Sequence, residues 1–418
     1  MTRAQRTVRT QVAIVGAGPA GLVLACVLLR AGISVEIVER QTREAVERRA
    51  RAGLVEHRVV EYLRAHRLAD GLVAHGVRHG WCDFLGLGER LRVDYAARAG
   101  GAAHWVYPQQ FLVRDLIDAL ETAGGRPHFA RPVTAVHAPA AGRPRLRCPG
   151  LVVEADYLVG CDGQHGVTRA ALPAAVRDDL SHRYPYDWLT VLAEVDRPVE
   201  GVVYAVHERG FAGMMPRTAQ LARCYVQIPA EDGAERWPDE RVRRELDARL
   251  RTAHGGLPHI GRLTDIGVLR MRSTISQRLC HGGVFLAGDA AHLLAPAGAK
   301  GMNAAVADAA DLADSLVRHY HDGDDAPLAG YSARRLEQVW RVQAFSDRLL
   351  GLLNTSTTGA GDVRFDLRLK LEHIRRLAET GPFSTDFAHQ YAGAGELLPP
   401  GRVPAPASLP ATGPENRP

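Results

Sequence analysis

QVAIVGAGPAGLVLACVLLRAGISVEIVER, residues 11–40, reads as a strand, a glycine turn, a helix and a second strand closed by an acid. Val12–Val15 and Val35–Val38 are the strand runs, and Leu22 to Leu29 is the apolar body of the helix between them. Gly16 permits the turn, Gly18 lets the backbone approach a pyrophosphate, and Gly21, beside Ala20, lets the helix pack on the strand. Glu39 stands about twenty residues further on, the spacing at which a carboxylate binds the hydroxyls of an adenosine ribose. This pattern predicts a nucleotide-binding βαβ unit. Alone it does not separate NAD from FAD.

Two later segments do. The run Val284–Ala287 predicts a strand that delivers Gly288-Asp289-Ala290-Ala291-His292, followed by the loop Pro296-Ala297-Gly298-Ala299-Lys300-Gly301-Met302 and a helical run from Asn303 to Leu316. A helix N-terminus at that place offers unpaired N–H groups and a positive dipole end to a reduced flavin ring, and Asp289 is placed to hold the ribityl chain. The strand run Leu151–Val159 leads into GCDGQHGVTR, residues 160–169, with Asp162 in its turn. The three segments together predict FAD as the cofactor.

The 418 residues exceed one average domain, and 46% hydrophobic with 24% charged residues is the balance of a soluble globular protein. The formal net charge of +5 comes from arginines spread along the chain, which favours an anionic substrate and a phosphate-bearing cofactor over nucleic acid. Cys26, Cys82, Cys148, Cys161, Cys224 and Cys280 form no C-x-x-C pair, so no metal site and no disulfide framework is expected. With no export or membrane segment recognised, the expected location is cytoplasmic.

The periodicity divides the chain. Residues 1–9 are a flexible N-terminus and 10–180 the first part of the FAD-binding domain. Residues 181–275 alternate apolar and polar side chains as a half-exposed antiparallel sheet does, interrupted by a helix from Asp239 to Ala253. The FAD-binding domain resumes over 276–354, a helical segment spans 355–396, and the Pro/Ala/Gly-rich tail 397–418 is expected to be disordered. Helices are also expected at Val59–Leu68, Gln110–Thr122, Arg334–Leu353 and Asp362–Ala378. The fold class is α/β (α+β), a Rossmann-like domain with an inserted β-sheet domain and C-terminal helices.

From Thr10 to Leu398 the chain resembles the class A flavin-dependent aromatic monooxygenases. The resemblance rests on Glu39-Arg40-Gln41-Thr42, Arg51-Ala52-Gly53, the Asp162-Gly163 turn with His165, Tyr184-Pro185, Trp188-Leu189, Arg209-Gly210-Phe211, Tyr225-Val226-Gln227 and the loop Pro296 to Asn303. It implies an NAD(P)H- and O2-consuming enzyme that hydroxylates a 4-hydroxybenzoate-type acid ortho to its hydroxyl through a flavin hydroperoxide, giving a catechol acid. It implies that Arg217 clamps the substrate carboxylate with Tyr225 as second donor. Tyr204 would bond the ring hydroxyl, Tyr391 would be next in the proton relay, and the Pro296 carbonyl would lie beside that hydroxyl. By the same resemblance Arg51 and Gln109 contact the flavin, Arg223 controls whether the flavin is in or out, and Gly298, Gly301, Met302 and Asn303 lie at the flavin ring. Arg40, Gln41, Arg51, His165 and Arg272 are implied on the nicotinamide side, and a homodimer is implied by the family.

The chain also departs from the family's pattern. Met215 replaces a serine that contacts the carboxylate, Ala297 replaces a threonine beside the ring hydroxyl, and Ala74 replaces the histidine at the surface end of the relay, with His75 one residue later. Ala45 stands where NADPH-preferring relatives carry a tyrosine, and Glu44 and Glu47 add negative charge, which favours NADH; Arg43, Arg48 and Arg49 favour NADPH. Met215 and Ala297 keep open the same chemistry on 3,4-dihydroxybenzoate, 4-aminobenzoate or a 3-substituted 4-hydroxybenzoate. The missing relay histidine keeps open a ligand sensor or uncoupled flavoprotein oxidase.

Overall fold

A computed structural model describes residues 6–49, 53–251, 256–355, 362–393 and Leu397. Its central sheet places strand Arg6–Val15 between Leu151–Gly160 and Val35–Val38, with Val284–Leu286 on the far side of Leu151–Gly160, all parallel. Val12, Ala13 and Ile14 are wholly buried, the continuous apolar run of a parallel strand covered on both faces. Helix Pro19–Arg30, with Pro19 in its first turn, covers one face and packs on helix Lys300–Asp322. Val15 is level with Gly160 and with Val38, and Gly160 with Leu286. The carboxyl ends of the strands therefore coincide, and there an open α/β sheet binds its ligand.

The second large sheet runs Ile260–Leu269, Tyr186–Val195, Leu221–Pro229, Ala212–Pro216, Val202–Ala205, Trp81–Gly86 and Glu89–Asp94 in spatial order. The last two strands come from residues that the sequence places in the first part of the FAD-binding domain, so the sheet is not drawn from 181–275 alone. They form a two-residue hairpin, Gly86 opposite Glu89, with Leu87 at φ 48° and Gly88 at φ 83°. Side chains alternate between two cores. Val203, Ala205, Met214 and Cys224 face helix Asp239–Leu250, while Tyr204, Met215 and Tyr225 face the C-terminal helices.

Those helices are Ala326–Leu353, Val363–Ala378 and Pro382–Ala392. The first begins eight residues before the periodicity suggested, because Pro327 is tolerated in a first turn, and the last lies within the helical segment 355–396 without having been delimited there. The tail beyond Leu397 lies outside the described residues. Among the described residues no helix is long and apolar enough to cross a membrane, and no cluster could hold a metal ion.

The turn after Val284–Leu286 is held by a buried charge. Asp308 accepts from Gly288 N–H at 2.8 Å and His292 Nε2 at 2.6 Å through one oxygen, and from Arg335 Nε at 2.8 Å through the other. Burial alone would raise its carboxyl, yet His292 and Arg335 hold it at about 2. A folded-state value below the unfolded one gives stability that is complete above the unfolded value, about 3.9, and is lost as pH falls toward 2. Asp308→Asn is therefore expected to lose about 3 kcal/mol at pH 7, since it leaves the buried Arg335 guanidinium without its carboxylate. In thermal unfolding between pH 7 and 3 the gap to the unsubstituted protein should narrow on the acid side. A constant gap would show that charge is not the source.

Candidate active site

The nucleotide cradle forms where three turns meet. Gly16, at φ 105°, lies so close to the end of the neighbouring strand that a Cβ would stand 2.4 Å from the Cys161 carbonyl oxygen. A Cβ at Gly21 would stand 2.1 Å from the Gly16 carbonyl oxygen, so the helix enters directly over the turn. Gly288, at φ 62°, abuts Ala305 and Ala20, which brings the Gly288-Asp289 turn to the start of helix Pro19–Arg30. Gly18 and Gly301 differ: no atom lies within 4 Å of where their Cβ would be. They leave room on the outer side of the cradle.

Glu39 closes that cradle. Its carboxylate accepts from Ala17 N–H at 2.9 Å and from Gln41 N–H at 2.8 Å, fixing it beside the glycine turn. Asp162 behaves differently. Its Oδ2 caps the Val167–Ala171 helix through Thr168 N–H and Oγ1, both at 2.9 Å, while Oδ1 is buried without a hydrogen-bond partner. Burial raises its pKa. Arg51 lies outside the described residues.

Helix Lys300–Asp322 begins at Ala299, itself at φ 57°, with no side-chain cap. Its first turn is nevertheless fixed. Asn303, wholly buried, donates to the Leu54 and Ala299 carbonyls at 3.1 and 2.7 Å and accepts from Glu56 N–H at 2.8 Å. Lys300 Nζ donates to Glu56 Oε1 at 2.7 Å and to the carbonyls of Gln390 and Tyr391 at 2.6 and 2.9 Å. Gly298, at φ 74°, admits Phe345, and Ser346 Oγ donates to the Ala297 carbonyl at 3.2 Å. The uncapped helix end, the open faces of Gly18 and Gly301 and the carboxylate at Glu39 fit FAD: a diphosphate against the glycine turn, a ribose at Glu39, and a ring that can become anionic at the helix end. Asp289, half-buried in its turn, is placed with them.

Across the second sheet, Tyr204 is level with Gly213, and Gly213 with Tyr225, while Met215 is level with Arg223. All face the same side. Tyr204 Oη lies 2.8 Å from Tyr391 Oη, and both rings are buried. Burial keeps both hydroxyls well above the usual tyrosine range. Arg217, 9% exposed, donates from Nη2 to Gln110 Oε1 at 2.8 Å, with Nη1 close to Gly53. Burial, then Arg223, lowers its pKa, and Arg217 and Arg223 both act on Tyr225. Gln109 opens helix Gln109–Thr122, one residue before this contact, and Pro296 precedes the tight turn that carries buried Ala297.

Of the residues expected to meet the nicotinamide, Arg272 donates from Nη2 to Gln164 Oε1 at 2.9 Å, bringing Arg272 next to exposed His165. Arg40 and Gln41 are exposed at the end of Val35–Val38. Arg43 is held by Glu47 at 2.6 Å, Glu121 at 2.7 Å and Asp118 at 3.2 Å. His75 is exposed at the end of helix Asp70–His75, and Ala74 beside it is exposed too. The sequence reading missed Glu56, Lys300, Gln110 and Asp308. Lys300 carried a signal: it and Lys370 are the only lysines of a chain with 52 basic Lys and Arg residues, and both are buried.

The comparisons agree with this geometry. Residues 9–346 match the family described as "FAD binding domain". The chain is 33% identical over 392 residues to the p-hydroxybenzoate hydroxylase of Acinetobacter baylyi, covering 93% of this chain and 96% of that protein. It is 26% identical over 372 residues to the dialkyldecalin synthase of Streptomyces rugosporus, covering 82% and 77%. Among solved structures it shares its fold with aklavinone-11 hydroxylase in complex with FAD and aklavinone (TM-score 0.70, 24% identity, 85% of this chain and 72% of that one). It also shares it with p-nitrophenol 4-monooxygenase from Pseudomonas putida (TM-score 0.70, 18% identity, 94% and 95%). With a cradle that fits FAD and a family match across most of its length, the chain belongs to the FAD-binding domain family and is a flavin-dependent monooxygenase.

Proposed function

We propose that this monooxygenase hydroxylates a 4-hydroxybenzoate-type acid ortho to its hydroxyl, with 4-hydroxybenzoate itself the leading substrate. The observation that carries the reading is the buried Tyr204–Tyr391 pair at 2.8 Å, with buried Arg217 beyond Met215 on the same sheet face. A phenol with a carboxylate across the ring fits a hydroxyl acceptor at one end and a guanidinium at the other. FAD, when bound, activates oxygen with electrons taken from NAD(P)H. Arg217, with Tyr225, holds the carboxylate and so orients the ring. Tyr204 accepts the proton of the ring hydroxyl while passing its own to Tyr391, which raises the electron density of the carbon to be hydroxylated. The buried aromatic surroundings of Tyr204, Phe84 at 5.3 Å and Phe211 at 6.2 Å between ring centroids, keep water from that end.

NADH is the proposed electron donor. Arg43 is committed to three carboxylates, leaving an acidic surface at Glu44, Glu47, Asp118 and Glu121, which opposes a 2′-phosphate. Met215 and Ala297 support a wider acceptance of 3-substituted relatives: a thioether and a methyl replace two hydrogen-bonding groups and leave the carboxylate and the hydroxyl edge with fewer partners.

The deciding assay follows NADH and NADPH oxidation by the FAD-loaded protein with and without 4-hydroxybenzoate, quantifying 3,4-dihydroxybenzoate against peroxide. Stimulated NADH oxidation matched by the catechol acid is expected; stimulation with peroxide alone would point to the uncoupled oxidase, and none at all to another acid. Tyr204→Phe should keep ligand affinity and NADH oxidation but lower coupled product by about 100-fold, the scale of one lost proton-transfer partner; full coupling would remove Tyr204 from ring activation. Arg217→Ala should weaken acid binding by roughly 30-fold or more, about 2 kcal/mol for a buried charge-assisted pair. An unchanged dissociation constant would assign the carboxylate to another group.

A further inference from the structure

Arg217 stands two residues beyond Met215, just past strand Ala212–Pro216. A thioether carries no proton to donate, so Met215 gives no hydrogen bond to an acid held by the Arg217 guanidinium. A polar side chain reaches that guanidinium from the other domain. A Cβ at Gly53 would stand 3.1 Å from Arg217 Nη1 and 3.7 Å from the Cα of Pro108, the residue that precedes helix Gln109–Thr122. The fork therefore lies against the start of that helix, which has no side-chain cap. From its first turn, Gln110 Oε1 accepts from Arg217 Nη2 at 2.8 Å.

That bond fixes the amide. A guanidinium has donors only, so the Gln110 atom facing it is the oxygen, and both Nε2 protons point elsewhere. Gln110 is half-buried, and among the described residues its Nε2 has no hydrogen-bond partner. The bond also leaves Arg217 charged. The groups acting on the guanidinium's charge are Arg223 and Tyr225, neither of them a carboxylate, and burial, then Arg223, lowers its pKa. A neutral acceptor thus orients a buried cation without cancelling it, and the helix end adds positive potential beside it.

We infer that Gln110 sets the selectivity of the site for an acid: its carbonyl holds the Arg217 fork, and its Nε2 amide donates the hydrogen bond to the substrate carboxylate that Met215 cannot supply. The inference rests on the reading of Arg217 as the carboxylate clamp. A carboxylate has about four lone-pair directions, enough for the fork, Tyr225 and the Gln110 amide together. A carboxamide of the same shape offers one oxygen and turns its N–H2 group toward donors, which leaves a buried donor unpaired. Gln110 is a positioning residue toward Arg217 and a binding residue toward the acid, with no part in the proton transfer at Tyr204.

The test compares dissociation constants of 4-hydroxybenzoate and its neutral analogue 4-hydroxybenzamide, read from the change in flavin absorbance of the FAD-loaded protein. Gln110→Leu keeps the side chain's size and removes both polar contacts. The acid should then bind about 10-fold more weakly, the scale of one hydrogen bond to a charged group, and the amide within about 2-fold of its former affinity. Gln110→Glu sets a carboxylate on Arg217. There the acid should bind roughly 100-fold more weakly, while the amide gains a partner for its N–H2 group, so the preference for the acid collapses. A glutamine that served packing alone would cost both ligands equally. Unchanged acid affinity in Gln110→Leu, or equal losses of acid and amide in both variants, overturns the inference. Arg217→Ala tells the failures apart: weakened acid binding there with none in Gln110→Leu removes Gln110 alone, whereas unchanged binding in Arg217→Ala removes the carboxylate clamp and the inference with it.

Discussion

The constraint on which the site depends is the cage around the Lys300 ammonium. Lys300 is 3% exposed and its partner Glu56 wholly buried, and the cage joins the start of helix Lys300–Asp322, the segment after the nucleotide unit and the end of helix Pro382–Ala392. A compact ammonium with three donors suits one carboxylate oxygen and two carbonyls in different directions, a geometry that a planar guanidinium does not fill. Burial opposes ionisation of both groups, lowering the lysine's pKa and acting to raise that of Glu56. Lys300 and Arg58 nevertheless hold Glu56 at about 2. Removal of either partner would leave a buried charge unpaired, so the three elements hold one another and fix the backbone that carries Tyr391.

That arrangement divides the labour between the two sheets. The parallel sheet brings its strand ends level and presents glycines and a helix end, groups that bind by backbone and need little side-chain chemistry. The antiparallel sheet presents side chains in rows, and its alternation puts Tyr204, Met215 and Tyr225 toward the cofactor domain while Met214 and Cys224 go to the opposite core. Gly213 stands between the two tyrosines in their row, where any side chain would meet Phe211 at 2.8 Å. Residue type in the first sheet follows from approach to a ligand. In the second it follows from period two.

The same distinction governs what could be read in advance. The glycine turn, Glu39 and the loop before Asn303 were legible because backbone geometry restricts those positions to few residue types. The hairpin Trp81–Asp94 was hidden because its turn uses Leu87 at φ 48°, where asparagine or aspartate would ordinarily signal it. Helix Pro382–Ala392 was not delimited within the helical segment 355–396 because it is short and its apolar positions are aromatic and alanine, without a strong stripe. His104 carried no local signal: it stands in the short strand His104–Val106, and only the folded chain brings it to Tyr391 from almost three hundred residues away in sequence. Lysine scarcity was the one overlooked compositional signal, since a chain that uses arginine for its surface reserves lysine for enclosed sites.

The electrostatics of the enclosed site also explain where a negative charge would come to rest. Tyr204, Tyr225 and Tyr391 are all pushed upward by burial, so none of them is a resting place for an anion and each keeps its proton. The positive groups, Arg217, Arg223 and Lys300, lie on two sides of the region, the arginines beside Tyr225 and the lysine at the helix end. The proposed phenolic ligand, held among them, would be the most acidic hydroxyl in the pocket, and its ring would take the charge that the tyrosines refuse. Oxygen transfer to that ring requires electron density there and dryness around it. The burial that makes the tyrosines reluctant acids supplies both.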